Sequence, residues 1–228
     1  MARRNHSMNS SLIAKAPSEG YRYQSFDSNC SKPTPSCLFV CSHICGLCFI
    51  NSRPPCCLQK ELSQFWYDEE TSTLLAKAAL ECVGEEGKIA CVSSPSVYNQ
   101  LRKMSESKEH YLFEFDKRFE DKFPGQFVFY DYKSPLQIDS KFSSYFDLVI
   151  ADPPFLSEEC LEKFTQTINF LTNKKIILCT GAIMEEAVKK LLHLQTCNFK
   201  PQHEKKLGNE FKCFANFNVD EIIASNKN

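Results

Sequence analysis

The chain has little glycine, no excess of one charge and no long apolar run. Only 7 of its 228 residues are glycine, which excludes collagen-like and low-complexity material. Twenty-seven basic and 28 acidic side chains leave a net charge of -1, so the chain does not hold nucleic acid by bulk charge alone. No apolar run reaches the roughly 18 residues that span a bilayer. The length and the 43% hydrophobic content fit one α/β domain with an appendage.

The cysteines and the charges divide the chain into two unlike parts. Residues 1–59 hold seven of the 13 cysteines and carry six basic and two acidic side chains. Residues 60–228 hold the other six cysteines, scattered singly through apolar runs, with 21 basic and 26 acidic side chains. An odd total and dispersed spacing do not fit a secreted disulfide framework. We therefore expect a reducing, cytoplasmic environment.

Residues 1–59 lack a sustained periodicity, and we expect a poorly ordered, cysteine-rich extension that takes no part in the chemistry. Thiols and an imidazole, which are zinc-ligand groups, cluster at Cys41, His43, Cys45 and Cys48. A second well-spaced pair is missing, because Cys56 and Cys57 are adjacent. Zinc binding and reversible acylation of these cysteines therefore stay open as alternatives.

From residue 60 onward, short apolar runs alternate with helical patterns. Five runs predict buried strands, at residues 89–92, 111–115, 127–130, 146–151 and 176–179. Capping residues and apolar spacing predict four helices, after Asp68, Pro95 and Ser157 and over residues 183–192. Residues 197–200 and 211–217 are expected to pair as an antiparallel ribbon at the sheet edge. The pattern predicts a doubly wound α/β domain over residues 60–228.

Polar residues follow four of the predicted strands, at Ser93, Asp116, Asp131 and Asp152. In parallel sheets, ligands bind at the carboxyl ends of the strands. A single Asp at a strand end indicates little, because Asp favours turns generally. Three of them in corresponding positions predict a shared cleft.

The first turn suggests which cofactor this cleft takes. Ser93, Ser94, Pro95 and Ser96 offer small side chains but no glycine, which counts against a pyrophosphate cofactor such as NAD or FAD. S-adenosylmethionine has no phosphates and tolerates such a turn. Asp116 follows Ser93 at a spacing suited to a carboxylate that holds the ribose hydroxyls, and Glu114 is the second choice.

The most specific element is Asp152-Pro153-Pro154-Phe155 after the fourth strand. Two prolines fix φ and remove two N–H donors, so the carbonyls and the Asp152 carboxylate are left as acceptors. An amine would donate to these acceptors and be oriented for in-line attack on a methyl group. Phe155 would stack on a base or make a cation–π contact with a lysine. A plain Pro-Pro turn is the structural alternative.

Asp152-Pro-Pro-Phe155 resembles the (Asn/Asp)-Pro-Pro-(Tyr/Phe) signature of S-adenosylmethionine-dependent amino methyltransferases. Further segments occur in the order found in one family: residues 62–67, 89–93, 95–98, 115–119, 129–132, 151–160, 179–186 and 209–213. This family is the eukaryotic translation elongation factor 1-alpha lysine methyltransferases, once described as adenine-N6 DNA methyltransferases. The resemblance covers residues 60–218 and does not extend to residues 1–59.

The resemblance implies a Rossmann-like, seven-stranded class I methyltransferase sheet with helices on both faces. It also implies site roles: Ser93 to Ser96 at the methionine end of S-adenosylmethionine, Asp116 at the ribose, Asp131 near the adenine amino group, and Asp152, Pro153, Pro154 and Phe155 around the target amine. Gln64, Phe65, Trp66 and Tyr67 would close over the pocket. Asn209 and Glu210 would line the acceptor channel or form only a hairpin contact.

We therefore expect methyl transfer to a lysine of elongation factor 1-alpha, by a cytoplasmic monomer that needs no metal and binds neither membrane nor nucleic acid stably. Released water or Asp152 would take the proton of the lysine ammonium. One alternative is an N6-adenine methyltransferase on DNA or RNA, which the acidic body of the chain disfavours. Another is an inactive methyltransferase-fold interaction module, suggested by the glycine-free first turn and the unfamiliar N-terminus.

Overall fold

The computed structural model describes residues 66–205 and 207–226. The described residues all belong to one compact unit of the chain. The expected extension over residues 1–59, its zinc and acylation alternatives and the predicted roles of Gln64 and Phe65 lie outside the described residues.

A seven-stranded sheet forms the centre of this unit. Its strands are β1 (Ile89–Val92), β2 (His110–Glu114), β3 (Phe127–Phe129), β4 (Leu148–Ala151), β5 (Lys175–Gly181), β6 (Gln195–Thr196) and β7 (Phe211–Ala215). They lie in the order β3-β2-β1-β4-β5-β7-β6. The first five strands are parallel, and β7 runs antiparallel between β5 and β6. This topology confirms the expected class I methyltransferase sheet.

Helices cover both faces of the sheet. They are α1 (Glu69–Val83), α2 (Pro95–Met104), α3 (Arg118–Lys122), α4 (Glu158–Leu171), α5 (Glu185–Leu192) and α6 (Val219–Ser225), with short 3-10 helices at Ser140–Phe142 and Ala182–Met184. Asp68 caps α1 by accepting a 2.8 Å hydrogen bond from the Thr71 N–H. At its other end Gly84 has φ 75°, a conformation that glycine adopts without strain.

The sheet separates two apolar cores. Along β1, Ile89 and Cys91 face the core under α1, α2, α3 and α6, whereas Ala90 and Val92 face the core under α4 and α5. All four β1 side chains have no solvent exposure. Burial on both faces explains why the parallel strands appear in the sequence as continuous apolar runs.

The antiparallel pairing predicted for the sheet edge is confirmed, but the strand lies two residues earlier than predicted, at Gln195–Thr196. Of the predicted residues 197–200, Cys197 still donates its N–H to the Cys213 carbonyl of β7 at 2.9 Å. The Asn198 and Phe199 N–H groups donate instead to the Asp220 carboxylate, at 2.7 and 2.9 Å. That carboxylate satisfies the backbone donors and ends the strand early.

Two distant segments pair at one end of the sheet, and we call residues 66–68 and 202–204 the clasp. Tyr67 and His203 form an antiparallel bridge. The Asp68 N–H donates to the Gln202 carbonyl at 3.1 Å, and the Glu204 N–H donates to the Trp66 carbonyl at 3.0 Å. The clasp therefore fixes the chain that enters α1 against the connection between β6 and β7.

All six cysteines of this unit's described part are free thiols, and four of them are buried. No helix within residues 66–205 and 207–226 is long and apolar enough to cross a membrane.

Candidate active site

A cavity of about 610 Å³ opens at the carboxyl ends of β1, β2, β3 and β4. Its lining comprises residues 93–96, 114–115, 130–133, 152–156 and 207–209, together with Trp66, His203 and Phe211. Most of these residues follow or end a strand; the exceptions are Trp66, the residues of the β6–β7 connection, and Phe211, which begins β7. The polar residues at the carboxyl ends of the parallel strands therefore lie around one cavity.

The structure brings together most of the predicted site residues. Ser93, Ser94, Pro95, Ser96, Asp131, Trp66, Asp152, Pro153, Pro154 and Phe155 all line the cavity. Asn209 also lines it, whereas Glu210 points to Lys200, with which it forms a 2.7 Å ion pair. Asp116 is not among the lining residues. The roles assigned to these residues remain predictions.

The first turn has a backbone that usually requires glycine. Ser93 has φ 52°, in the left-handed region, and its N–H donates to the Phe113 carbonyl at 2.8 Å. Pro95 then begins α2, where its missing N–H costs no helical hydrogen bond. The small Ser side chains leave room beside this turn for a ligand without phosphates.

The two acids at the end of β2 have different surroundings. The Asp116 carboxylate accepts from the Arg118 N–H at 3.0 Å and forms a two-pronged ion pair with the Arg118 guanidinium. Glu114, the last residue of β2, lines the cavity. Its Oε1 atom accepts from the Phe115 and Asp116 N–H groups at 2.9 and 3.1 Å. These bonds orient the Glu114 carboxylate at the cavity wall.

The Asp152 corner lies at the end of β4. The Asp152 N–H donates to the Val92 carbonyl at 3.0 Å, which fixes the corner to β1. The pKa of Asp152 is raised to about 8, chiefly by burial; the Tyr67 hydroxyl acts to lower it and the nearby Glu114 carboxylate acts to raise it. In the free protein this carboxyl therefore titrates close to neutral pH.

Aromatic side chains frame the corner. Phe155 is 44% exposed, and its ring centroid lies 5.6 Å from that of Tyr132. Tyr130 is buried, and its hydroxyl is 2.8 Å from the Thr167 hydroxyl. Asp131 follows Tyr130, and its Oδ1 atom accepts from the Lys133 N–H at 2.9 Å. The mouth of the cavity is thus apolar with a few fixed acceptors, as expected of a small-molecule site.

Sequence reasoning missed His203 and Leu207 of the β6–β7 connection and Phe211, the first residue of β7, which all line the cavity. The clasp holds His203 and the β5–β7 pairing places Phe211, and no spacing in the sequence signals either contact. Within the described part of the chain, the Trp66 Nε1, Tyr67 Oη and His203 Nε2 atoms are buried without a hydrogen-bond partner. In the same ranges no three His, Cys, Asp or Glu side chains are grouped to hold a metal ion.

This strand order, the reversed β7 and a cavity at the strand ends define a class I S-adenosylmethionine-dependent methyltransferase. A family model described as "Probable N6-adenine methyltransferase" matches residues 58–219. The chain belongs to that family.

Several similar proteins have names that state a more specific activity than the family description does. EEF1A lysine methyltransferase 1 of Homo sapiens is 52% identical over 159 residues, which cover 69% of this chain and 74% of the relative. The protein of the same name in Danio rerio is 51% identical over 161 residues, covering 68% of this chain and 96% of the relative. Among solved structures, the Mtq2-Trm112 complex of E. cuniculi matches at 18% identity and a TM-score of 0.44, covering 66% of this chain and 96% of that chain.

Proposed function

We propose that this protein transfers a methyl group from S-adenosylmethionine to the ε-amine of a lysine in translation elongation factor 1-alpha. The observation that carries the proposal is the Asp152-Pro-Pro-Phe155 corner, which lines one cavity together with Glu114 and the first turn. The names of the relatives, EEF1A lysine methyltransferase 1, support the choice of acceptor.

The lining residues fit S-adenosylmethionine by their chemistry. Ser93 to Ser96 would hold the methionine end beside the α2 N-terminus, and Asp131 would accept from the adenine amino group. We assign the ribose hydroxyls to Glu114 rather than to Asp116, because Glu114 lines the cavity. Phe115, half-exposed at the wall, would pack on the adenine. When bound, the cofactor supplies an electrophilic methyl group on a sulfonium.

The Asp152 corner would handle the acceptor. The Asp152 carboxylate and the proline carbonyls accept the N–H groups of the lysine amine, while Phe155 and Tyr132 pack on its methylene chain. An ammonium has no lone pair, so it must lose a proton before it can attack. The apolar walls favour the neutral amine by desolvation. Released water or the Asp152 carboxylate takes that proton.

Radiolabelled S-adenosylmethionine with purified elongation factor 1-alpha tests the proposal. We expect protein-bound label on lysine that protease removes and nuclease does not. Asp152→Ala should lower turnover by at least about 100-fold, since one group both accepts the amine and handles its proton. Calorimetric titration should give nearly the same cofactor affinity for this variant. Full activity of Asp152→Ala would remove Asp152 from the mechanism.

Asp152→Asn separates the two tasks of this side chain. An amide oxygen still accepts an N–H but cannot take a proton at neutral pH. Retained turnover in Asp152→Asn assigns the proton to water, whereas loss equal to that of Asp152→Ala assigns it to the carboxylate.

Adenine in nucleic acid is the second candidate acceptor, because the matching family model is described by that activity. Oligonucleotides therefore belong in the same assay. If the label resists protease and is lost with nuclease, the acceptor is adenine in nucleic acid and not lysine. Absence of any heat of cofactor binding up to millimolar concentration would instead favour a non-catalytic interaction module.

We also propose that residues 60–228 form the methyltransferase domain and act as a monomer in the cytoplasm. The six free thiols among the described residues support a reducing compartment. Sedimentation of the full chain at assay concentration tests the monomer.

A further inference from the structure

We propose that Tyr67 is a positioning residue whose hydroxyl donates to the ionised Asp152 carboxylate and orients it toward the acceptor amine. This inference rests on the proposed function, since it adds a residue to the same reaction. Tyr67 does not line the cavity, so its part in the reaction would be exerted through Asp152.

The Tyr67 hydroxyl is buried without a hydrogen-bond partner among the described residues. The residue is only 3% exposed. Asp152 and Cys179 are the groups that lie next to it. A buried hydroxyl without a partner lowers stability, and native proteins keep few of them. Of these two groups, the Asp152 carboxylate is the stronger acceptor.

The clasp fixes the Tyr67 ring. Its centroid lies 4.8 Å from that of His203, which in turn lies 4.5 Å from that of Phe211. The backbone bonds of the clasp hold the neighbouring residues, Trp66 and Asp68, on either side. Tyr67 therefore presents its hydroxyl to the Asp152 carboxyl in one orientation, so that little freedom is lost when the bond forms.

The charge environment of Asp152 gives the expected sign of a pH effect. Glu114 from β2 raises the pKa of Asp152, and the Tyr67 hydroxyl lowers it. Cys179 from β5 lies against Tyr67, and His203 packs on its ring. Removing the hydroxyl deletes the stabilising donor and leaves Glu114 in place. The pKa of Asp152 then rises, and any step that needs the ionised carboxylate moves to higher pH.

Tyr67→Phe tests this role, because it removes one hydroxyl and keeps the ring. We expect turnover on elongation factor 1-alpha to fall by about tenfold, as for one lost hydrogen bond to a charged group. The cofactor dissociation constant should change little, and the acid limb of the pH–rate profile should move to higher pH.

Tyr98→Phe is the matched control. Tyr98 is fully buried, and its hydroxyl donates to the His110 carbonyl at 3.1 Å, outside the cavity lining. This variant should lose stability and keep both turnover and pH profile. A merely structural role for Tyr67 predicts that the two variants behave alike in turnover.

Carbon-13 NMR titration of the Asp152 carboxyl, in the native protein and in Tyr67→Phe, needs no acceptor. A rise in the Asp152 pKa in Tyr67→Phe supports the inference even if elongation factor 1-alpha proves not to be the substrate. An unchanged carboxyl titration with unchanged turnover overturns it. Absent turnover in the native protein overturns the proposed function alone.

Discussion

At the residue scale, two acids at the end of β2 differ in what surrounds them. The carboxylate of Asp116 is 6% exposed and is engaged by the backbone and guanidinium of Arg118. Glu114 is equally buried but lines the cavity. Sequence spacing cannot separate residues two apart, because both side chains leave the same face of an extended strand. The turn after Glu114 leaves this acid, and not Asp116, in the cavity lining.

Glu114→Gln should therefore weaken S-adenosylmethionine binding, whereas Asp116→Asn should affect it little. Loss of a charged acceptor for the ribose hydroxyls costs about 1.5–3 kcal/mol, which corresponds to roughly 10- to 100-fold in dissociation constant. Isothermal calorimetry with each variant measures this. If Asp116→Asn weakens S-adenosylmethionine binding more than Glu114→Gln does, the ribose is held by Asp116, as the sequence first suggested.

At the scale of elements, apolar runs predicted the parallel strands well and the edge strand poorly. Ile89–Val92 is buried on both faces and matches its predicted bounds. The two residues of β6 are both exposed and carry no apolar signal. The apolar residues that follow, Cys197 and Phe199, gave a strand pattern, yet Asp220 takes the hydrogen bonds of residues 198 and 199. A contact from 21 or 22 residues away overrides the local pattern there.

The start of α1 was predictable because the signal is local. Asp68 precedes two acidic residues, Glu69 and Glu70, which favour the positive end of the helix, and it accepts from the Thr71 N–H. The same residue joins the helix to the clasp through its own N–H. This N-terminal cap therefore supports both the helix and one wall of the cavity.

Asp68→Ala should lower the free energy of unfolding by about 1 kcal/mol, the usual cost of a lost N-terminal cap. Urea unfolding at fixed pH measures it, with an unchanged slope expected because the fold is retained. Asp139→Ala is the control, since Asp139 is exposed and caps only a three-residue 3-10 helix. Its cost should stay within about 0.5 kcal/mol, as for most surface changes. Equal costs in both variants would contradict the importance of the α1 cap.

At the scale of the whole molecule, parallel strands explain why much of the site was predictable. Strands that run the same way end at the same edge, so Ser93, Asp131 and Asp152 had to meet. The wall formed by His203 and Leu207 depends on pairing between segments more than 130 positions apart, as in the 3.0 Å bond from the Gln202 N–H to the Thr71 hydroxyl. Phe211 joins this wall through the pairing of β7 with β5. No local rule predicts such a contact from a single sequence.

A second buried group lies away from the cavity and affects the stability of the fold. His110, at the start of β2, is 1% exposed, and neither ring nitrogen has a hydrogen-bond partner among the residues the structure describes. Burial and the nearby Arg102 lower the pKa of His110. In the unfolded chain this imidazole takes a proton at mildly acidic pH, whereas in the fold it resists protonation.

The stability that His110 contributes is present above the ordinary imidazole pKa and is lost as the pH falls below it, because the unfolded state then binds more protons. The Asp152 contribution to stability has the opposite pH dependence. Because its pKa is raised to about 8, the folded protein binds a proton there that the unfolded chain does not bind until the ordinary carboxyl range, so this contribution grows as the pH falls. The comparison of native protein with His110→Gln cancels the Asp152 contribution, provided that the two sites act independently. We expect the native protein's advantage in urea midpoint over His110→Gln to shrink from pH 7.5 to pH 5.5. Parallel curves over that range would show that His110 does not set the acid sensitivity of the fold.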